Sequence, residues 1–131
     1  MEYLLDTCVI LNAVSNDGLI PQKIKDVIND EDNDIFFSNA SLWEIEIKHL
    51  RNPTLMPLSS TNIANELITT KVRELPIRVE YINELKNITC QGIHKDPFDH
   101  LLLAMAKFEG MILITSDTNF LKYQGVKVLK Y

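Results

Sequence analysis

The chain has 131 residues, 46% of them hydrophobic, and a formal net charge of −5. That is enough for one domain, residues 1–131, with a real apolar core. No apolar run is long enough to span a bilayer, and the net charge argues against a broadly basic surface that would bind nucleic acid without specificity. A local basic rim is still compatible with a nucleic-acid substrate. Lys48, Arg51, Lys95, His100 and Lys107 could form one, although a solvated surface charge is the simpler reading of each.

The first residues run straight into a strand pattern with no basic segment or cleavage site, so no signal peptide is expected. Cys8 and Cys90 are the only cysteines. Two thiols do not make a disulfide framework, and a reducing cytoplasm is the expected setting. Cys8 lies in the apolar run Cys8-Val9-Ile10-Leu11 and is expected to be a buried, inert thiol.

Glu2–Leu5 reads as a short buried strand, followed by a helix over Thr7–Val14. The polar cluster Ser15-Asn16-Asp17-Gly18 ends that helix. Pro21 fits the first turn of a second helix, which runs through Ile28. Asn29–Asp34 is a polar loop before the strand Ile35–Phe37. Ser38 or Asn39 can cap a helix to about Leu50, which Asn52-Pro53 stops. A helix over Ser59–Val72 and a short strand at Leu75–Ile77 follow. Val79–Asn87 is helical, and Asp96-Pro97 opens a further helix to Glu109, stopped by Gly110. Met111–Thr115 is a strand, Thr118–Tyr123 a short helix and Val126–Leu129 a last strand. Alternating strands and helices, with continuous apolar strand cores, predict an α/β fold. Its expected form is a three-layer α/β/α sandwich around a mainly parallel sheet.

Asp6, Glu44, Asp99 and Asp117 each lie where an apolar run gives way to a helix, or just inside that helix. Strand C-termini share one edge of a parallel sheet, so these acids could converge there. Clustered carboxylates repel one another unless a divalent cation neutralises them. Each acid also has a local explanation. Asp6 can be only an N-cap. Glu44 fits a capping box with Ser41 and an i,i+4 pair with Lys48. Asp99 occupies the capping-box position after Asp96, and Asp117 can initiate a turn. The local readings explain each acid singly, but not why every such junction carries one.

Other polar residues give weaker signals. Asp96 reads as a pure N-cap. His94 and His100 could touch a phosphate, although exposed polar roles are expected of both. His49 has no evident partner. No Cys/His cluster at ligand spacing suggests zinc. No glycine-rich phosphate loop is present. Trp43 is expected in the core rather than as a base-stacking platform.

Taken together these motifs resemble the PIN domain family, in particular the VapC-type ribonuclease toxins of type II toxin–antitoxin systems. Tyr3-Leu4-Leu5-Asp6-Thr7 looks like the opening strand and first acid. Ser38-Asn39-Ala40-Ser41-Leu42-Trp43-Glu44 looks like the second motif, and Asp96-Pro97-Phe98-Asp99-His100 like the third. Thr115-Ser116-Asp117 with Phe120 resembles the fourth. His100 departs from the pattern, since relatives often carry Arg there.

The resemblance implies a Rossmann-like α/β/α domain and a metal-dependent endoribonuclease using Mg²⁺ or Mn²⁺. It also implies a homodimer restrained by a VapB-like antitoxin. In that picture Asp6 and Asp99 make the core metal contacts, while Glu44 and Asp117 orient water or help hold a second ion. Thr7, Ser38 and Thr115 are hydrogen-bond donors behind them. Alternatives are a PIN ribonuclease of RNA processing without an antitoxin, and a non-catalytic binding module. A phosphatase of the Asp-x-Asp kind fits poorly because position 8 is Cys. A phospho-receiver fits poorly because Asp6 stands alone after the first strand.

Overall fold

The computed structural model describes residues 1–131. Five strands form one sheet: β1 (Glu2–Leu5), β2 (Asp34–Ser38), β3 (Arg73–Leu75), β4 (Ile112–Thr115) and β5 (Lys127–Lys130). Every neighbouring pair is parallel, in the order β3-β2-β1-β4-β5. Six helices connect them: α1 (Thr7–Ser15), α2 (Gln22–Asn29), α3 (Asn39–Arg51), α4 (Ser60–Leu67), α5 (Val79–Thr89) and α6 (Pro97–Glu109). Two short 3₁₀ segments lie at Asp17–Leu19 and Thr118–Lys122.

Side chains alternate across a strand, so each strand feeds two cores. On one face Tyr3, Leu5, Ile35, Phe37 and Ile114 join Ile10, Ile24, Ile45 and Ile63 from α1 to α4. On the other, Leu4 and Leu113 join Tyr81 and Ile88 of α5 and Leu102, Leu103 and Met105 of α6. Both faces being covered explains why the strands read as unbroken apolar runs. The outcome is the predicted three-layer α/β/α sandwich, with a wholly parallel sheet. No helix is long and apolar enough to cross a membrane.

The strand order places the site. From β1 the chain steps outward to β2 and β3, then returns to lay β4 on the other side of β1. The order therefore reverses between β1 and β4, and such a switch point opens a crevice beyond the strand C-termini. Asp6 follows β1 there, with its backbone N–H donating to the Ile114 carbonyl at 2.9 Å.

Several elements differ from the sequence expectation for identifiable reasons. The predicted helix Ser59–Val72 stops at Leu67. The hydroxyls of Thr69 and Thr70 donate back to the carbonyls of Glu66 and Leu67, each at 2.7 Å, and compete with further helix. β3 lies at Arg73–Leu75 rather than Leu75–Ile77, because Pro76 has no N–H to continue the ladder. β5 is shifted one residue toward the C-terminus. Pro21 caps α2 instead of entering its first turn. Thr118–Lys122 is 3₁₀, and Asp17–Leu19 forms a 3₁₀ turn where only a break was expected.

Trp43 is not in the core. It is 59% exposed and meets Phe98 edge-on, with ring centroids 5.1 Å apart. The buried face of α3 is Ala40, Ser41, Glu44 and Ile45, and Trp43 lies off it. Lys107 leaves the expected basic rim as well. It sits in the last turn of α6, far from Asp99 along the helix, and pairs with Glu84 at 2.8 Å.

Gly110 terminates α6 with φ 68°, a left-handed conformation that L residues adopt at a cost. A Cβ added there would meet no atom within 4 Å, so the backbone alone carries the penalty. Gly110→Ala should therefore destabilise the fold by about 1 kcal/mol, read as a lower urea midpoint with an unchanged m-value.

Candidate active site

The crevice at the β1–β4 switch is lined by helix starts. Asp6 caps α1, its Oδ1 accepting from the Thr7 backbone at 2.7 Å. Ser38 caps α3, and Asp96 caps α6 by accepting from the amides of Phe98 and Asp99. Asp117 caps the 3₁₀ segment by accepting from Asn119 N at 2.8 Å. Unpaired amides and the positive end of each helix favour negative charge at these points.

Thr7 serves two carboxylates at once. Its amide binds Asp6, while its hydroxyl lies 2.8 Å from Glu44 Oε1 and 2.9 Å from Ser41 Oγ. A hydroxyl has one proton and a carboxylate only accepts, so Thr7 donates to Glu44 and Ser41 donates to Thr7. Ser41 is thus a buried partner inside α3, not the cap of a Ser41–Glu44 box. Glu44 Oε2 accepts from Lys48 Nζ at 2.8 Å, the i,i+4 pair expected from the sequence.

Asp6 Oδ2 accepts from Thr115 Oγ1 at 2.6 Å and from Cys8 Sγ at 3.2 Å. The Asp117 amide in turn donates to Thr115 Oγ1 at 3.0 Å, tying the fourth acid's backbone to the first acid through one hydroxyl. Asp99 Oδ2 pairs with His94 Nε2 at 2.8 Å.

Among the carboxylate oxygens of Asp6, Glu44, Asp99 and Asp117, only Asp99 Oδ1 and Asp117 Oδ2 have no protein partner.

The acids feel one another. Burial pushes the Asp6 carboxyl above its ordinary value. Hydrogen bonds from Thr115, Cys8 and Thr7 oppose the rise, and the charge of Glu44 adds to it. Burial also pushes Asp99 up to about 6; His94 opposes this, and the charges of Asp96 and Asp6 add to it. The Lys48 ammonium is raised first by its bond to Glu44 and also by Asp96 and Asp99. Asp6, Glu44 and Asp99 therefore share one electrostatic neighbourhood, with Lys48 half-exposed beside it. No three side chains already stand at the spacing of a formed metal site.

Five sequence expectations change here. Cys8 is half-buried and faces Asp6 and Ser116 instead of apolar neighbours, because Val9 and Ile10 take the core face of α1. Burial and Asp6 push its thiol up, which keeps it protonated. His100 is buried at 7% exposure. His94 is half-buried and engages Asp99. His49 does have a partner, Nδ1 lying 2.7 Å from the Met56 carbonyl. Of the three predicted donors, Thr7 and Thr115 reach acids. Ser38 instead caps α3 and donates to Met105 Sδ at 3.2 Å. Ser41, Cys8, His94 and Tyr123 were not foreseen as partners of the acids or of His94. A largely apolar cavity of about 420 Å³, lined by Leu5, Ile10, Val14, Ile20, Leu67 and Val72, contains none of the four acids.

The sequence pattern of the PIN domain matches residues 3–126. The chain belongs to the PIN domain family. PIN domains are nucleases and generally depend on a divalent metal. No curated protein matches the sequence. Among solved structures the DNA-bound VapBC of Salmonella typhimurium is similar, with TM-score 0.77 and 17% identity, covering 99% of this chain and 98% of that one. Rickettsia felis VapBC2, bound to a DNA fragment from its promoter, gives 0.74 and 15% over the same shares. Mycobacterium tuberculosis VapBC-5 gives 0.66 and 16%, again over 99% and 98%. At these identities the likeness is one of fold.

The raised Asp99 carboxyl has a consequence for stability. Its folded value, about 6, lies above the ordinary 3.8. The folded state therefore holds that proton more tightly, and ionising it costs stability as pH rises between those values. The cost is absent below the window and complete above it. Asp99→Asn should accordingly gain stability relative to the parent from about pH 4 to about pH 6 and then level off. Urea titrations at stepped pH, in chelator, measure this difference. A difference that stays flat across the window would show that Asp99 carries no such strain.

Proposed function

We propose that this PIN domain is the ribonuclease toxin of a VapBC-like pair, a cytoplasmic enzyme that cleaves RNA phosphodiester bonds with Mg²⁺ or Mn²⁺. The observation that carries the reading is the shared electrostatic neighbourhood of Asp6, Glu44 and Asp99 at the β1–β4 switch point. Family membership supports the chemistry, and the VapBC folds among its structural relatives support the toxin assignment.

The donor set fits such a cation. All four acids offer oxygen, which suits Mg²⁺ or Mn²⁺ over softer metals. Mg²⁺ keeps much of its water and needs only one or two carboxylates, so a ready-made trio is unnecessary. Asp99 Oδ1 and Asp117 Oδ2 are free to bind directly. Asp6, although engaged through both oxygens, has acceptor capacity left. When bound, the cation supplies charge neutralisation and electrophilic stabilisation of the scissile phosphate.

The protein's own groups do the rest. Asp6 and Asp99 form the core of the site, and Glu44 and Asp117 orient water around it. Thr7 and Thr115 hold Glu44 and Asp6 in place. Lys48 offers a half-exposed ammonium to a phosphate at the rim. Cys8 is no nucleophile, since its thiol is pushed up rather than activated. We infer two partners in addition: a second copy in a homodimer, and a VapB-like antitoxin. An antitoxin Arg laid among the carboxylates would pair with them bidentately and close the site.

Purified protein should cut RNA with Mg²⁺ or Mn²⁺ and stop on chelation. Asp6→Asn and Asp99→Asn should each abolish turnover while the domain still folds and unfolds cooperatively. In cells, expression of the parent should arrest growth and the Asp6→Asn variant should not, and a co-expressed antitoxin should restore growth. Cleavage that survives thorough chelation would overturn the metal-dependent mechanism. Equal toxicity of the parent and Asp6→Asn would overturn the ribonuclease-toxin assignment.

A further inference from the structure

Asp99 and Asp117 each have one carboxylate oxygen engaged, Asp117 by the Asn119 backbone amide and Asp99 by a side chain alone. Asp6 and Glu44 each have both oxygens engaged, whereas Asp99 has a single side-chain bond, from His94. The charges of Asp96 and Asp6 press on it. Repulsion of that kind would swing a loosely held carboxylate outward, so the grip of His94 matters.

His94 is itself clamped. Its Nδ1 lies 2.7 Å from the Tyr123 hydroxyl, and its carbonyl is 2.6 Å from His100 Nε2. His100 Nε2 also lies 3.1 Å from the Tyr123 hydroxyl, and its Nδ1 is 3.3 Å from Thr89 Oγ1. The His94 ring stands edge-on to those of His100 and Tyr123, at centroid separations of 5.4 and 5.5 Å. These contacts join three segments: the loop after α5, the first turn of α6 and the stretch before β5.

The proton directions follow from what can only accept. An ionised carboxylate accepts, so His94 Nε2 carries its proton. A carbonyl accepts, so His100 Nε2 carries one too. The Tyr123 hydroxyl can either donate to or accept from His94 Nδ1.

We propose that His94, clamped by Tyr123 and His100, is a positioning residue that fixes the Asp99 carboxylate with Oδ1 free for the cation, a role that rests on the metal-dependent reading above. Groups that hydrogen-bond a metal ligand from behind set its orientation, and losing one weakens metal binding about 10–100-fold. His100 gains a function in this arrangement. It fastens the backbone of the residue that grips Asp99, a task different from the phosphate contact considered for position 100.

The test uses the full chain and manganese alone. Two substitutions of similar bulk separate the hydrogen bond from packing. His94→Gln keeps an N–H donor near the Nε2 position, while His94→Met has none. Titration of Mn²⁺, followed by the electron paramagnetic resonance of the free ion, should show affinity lost about 10–100-fold in His94→Met and largely kept in His94→Gln. Equal affinity of His94→Met and the parent would overturn the proposal, as would a His94→Gln variant as weak as His94→Met. Ring ¹⁵N spectra of the metal-free parent give a check that depends on neither variant folding. They should show the proton on His94 Nε2, and a bare Nε2 would sink the bond to Asp99. If the parent binds no Mn²⁺ at all, the metal reading of the site fails, while the ring spectra still decide whether His94 holds Asp99.

Discussion

The fold is arranged around a cost: negative charge held out of water at one edge of a parallel sheet. Asp6 and Glu44 are both buried, and Asp99 is half-buried against His94. Desolvation favours the protonated forms of Asp6 and Asp99. What keeps the charge in place is a ring of short donors. Thr7, Thr115 and Cys8 face Asp6, Thr7 and Lys48 face Glu44, and His94 faces Asp99. Each donor comes from an element that the sheet order brings to the β1–β4 junction. Compensation is incomplete, because Asp6 and Asp99 remain raised. That residual strain is what a cation would relieve.

The layers were legible because hydrophobic periodicity speaks directly to burial. Leu4-Leu5, Ile35-Phe36-Phe37 and Leu113-Ile114 are too continuously apolar for a one-sided sheet, and each splits between the two cores. Boundaries were less legible because local hydrogen bonding sets them. Thr69 and Thr70 suit a helix by position, but they end α4 by bonding back to its carbonyls. Pro76 sits inside an apolar triplet and moves β3 toward the N-terminus. Trp43 misled because apolar character predicts burial only when the helix face is right; α3 turns Glu44 inward and leaves Trp43 at the rim.

The acids were legible for a related reason. A short acid at a strand–helix junction has a local use as a cap, and the parallel topology then brings several such junctions together. Their partners were not legible. Thr115 and Asp6 are 109 positions apart and meet only because β4 lies beside β1. His94 was visible as a residue near the third motif, yet the bond to Asp99 depends on a loop trajectory that no periodicity encodes. Tyr123 is a buried aromatic among many until His94 and His100 converge on its hydroxyl.

The paired acids at the start of α6 show how capping and chemistry are separated. Asp96 accepts from the amides of both Phe98 and Asp99 and so satisfies two donors of the first turn. Because that need is met, the Asp99 carboxylate has no capping duty, and it bonds His94 in the loop before α6 instead of reaching back to the start of its own helix. Asp6 and Asp117 cap their own segments, and each spends an oxygen on a backbone amide. Asp99 alone can offer an oxygen to the crevice while its other oxygen is held by a side chain rather than by the backbone. That difference makes its orientation adjustable by the His94–Tyr123–His100 clamp, whereas the orientation of Asp6 is set by the fold itself.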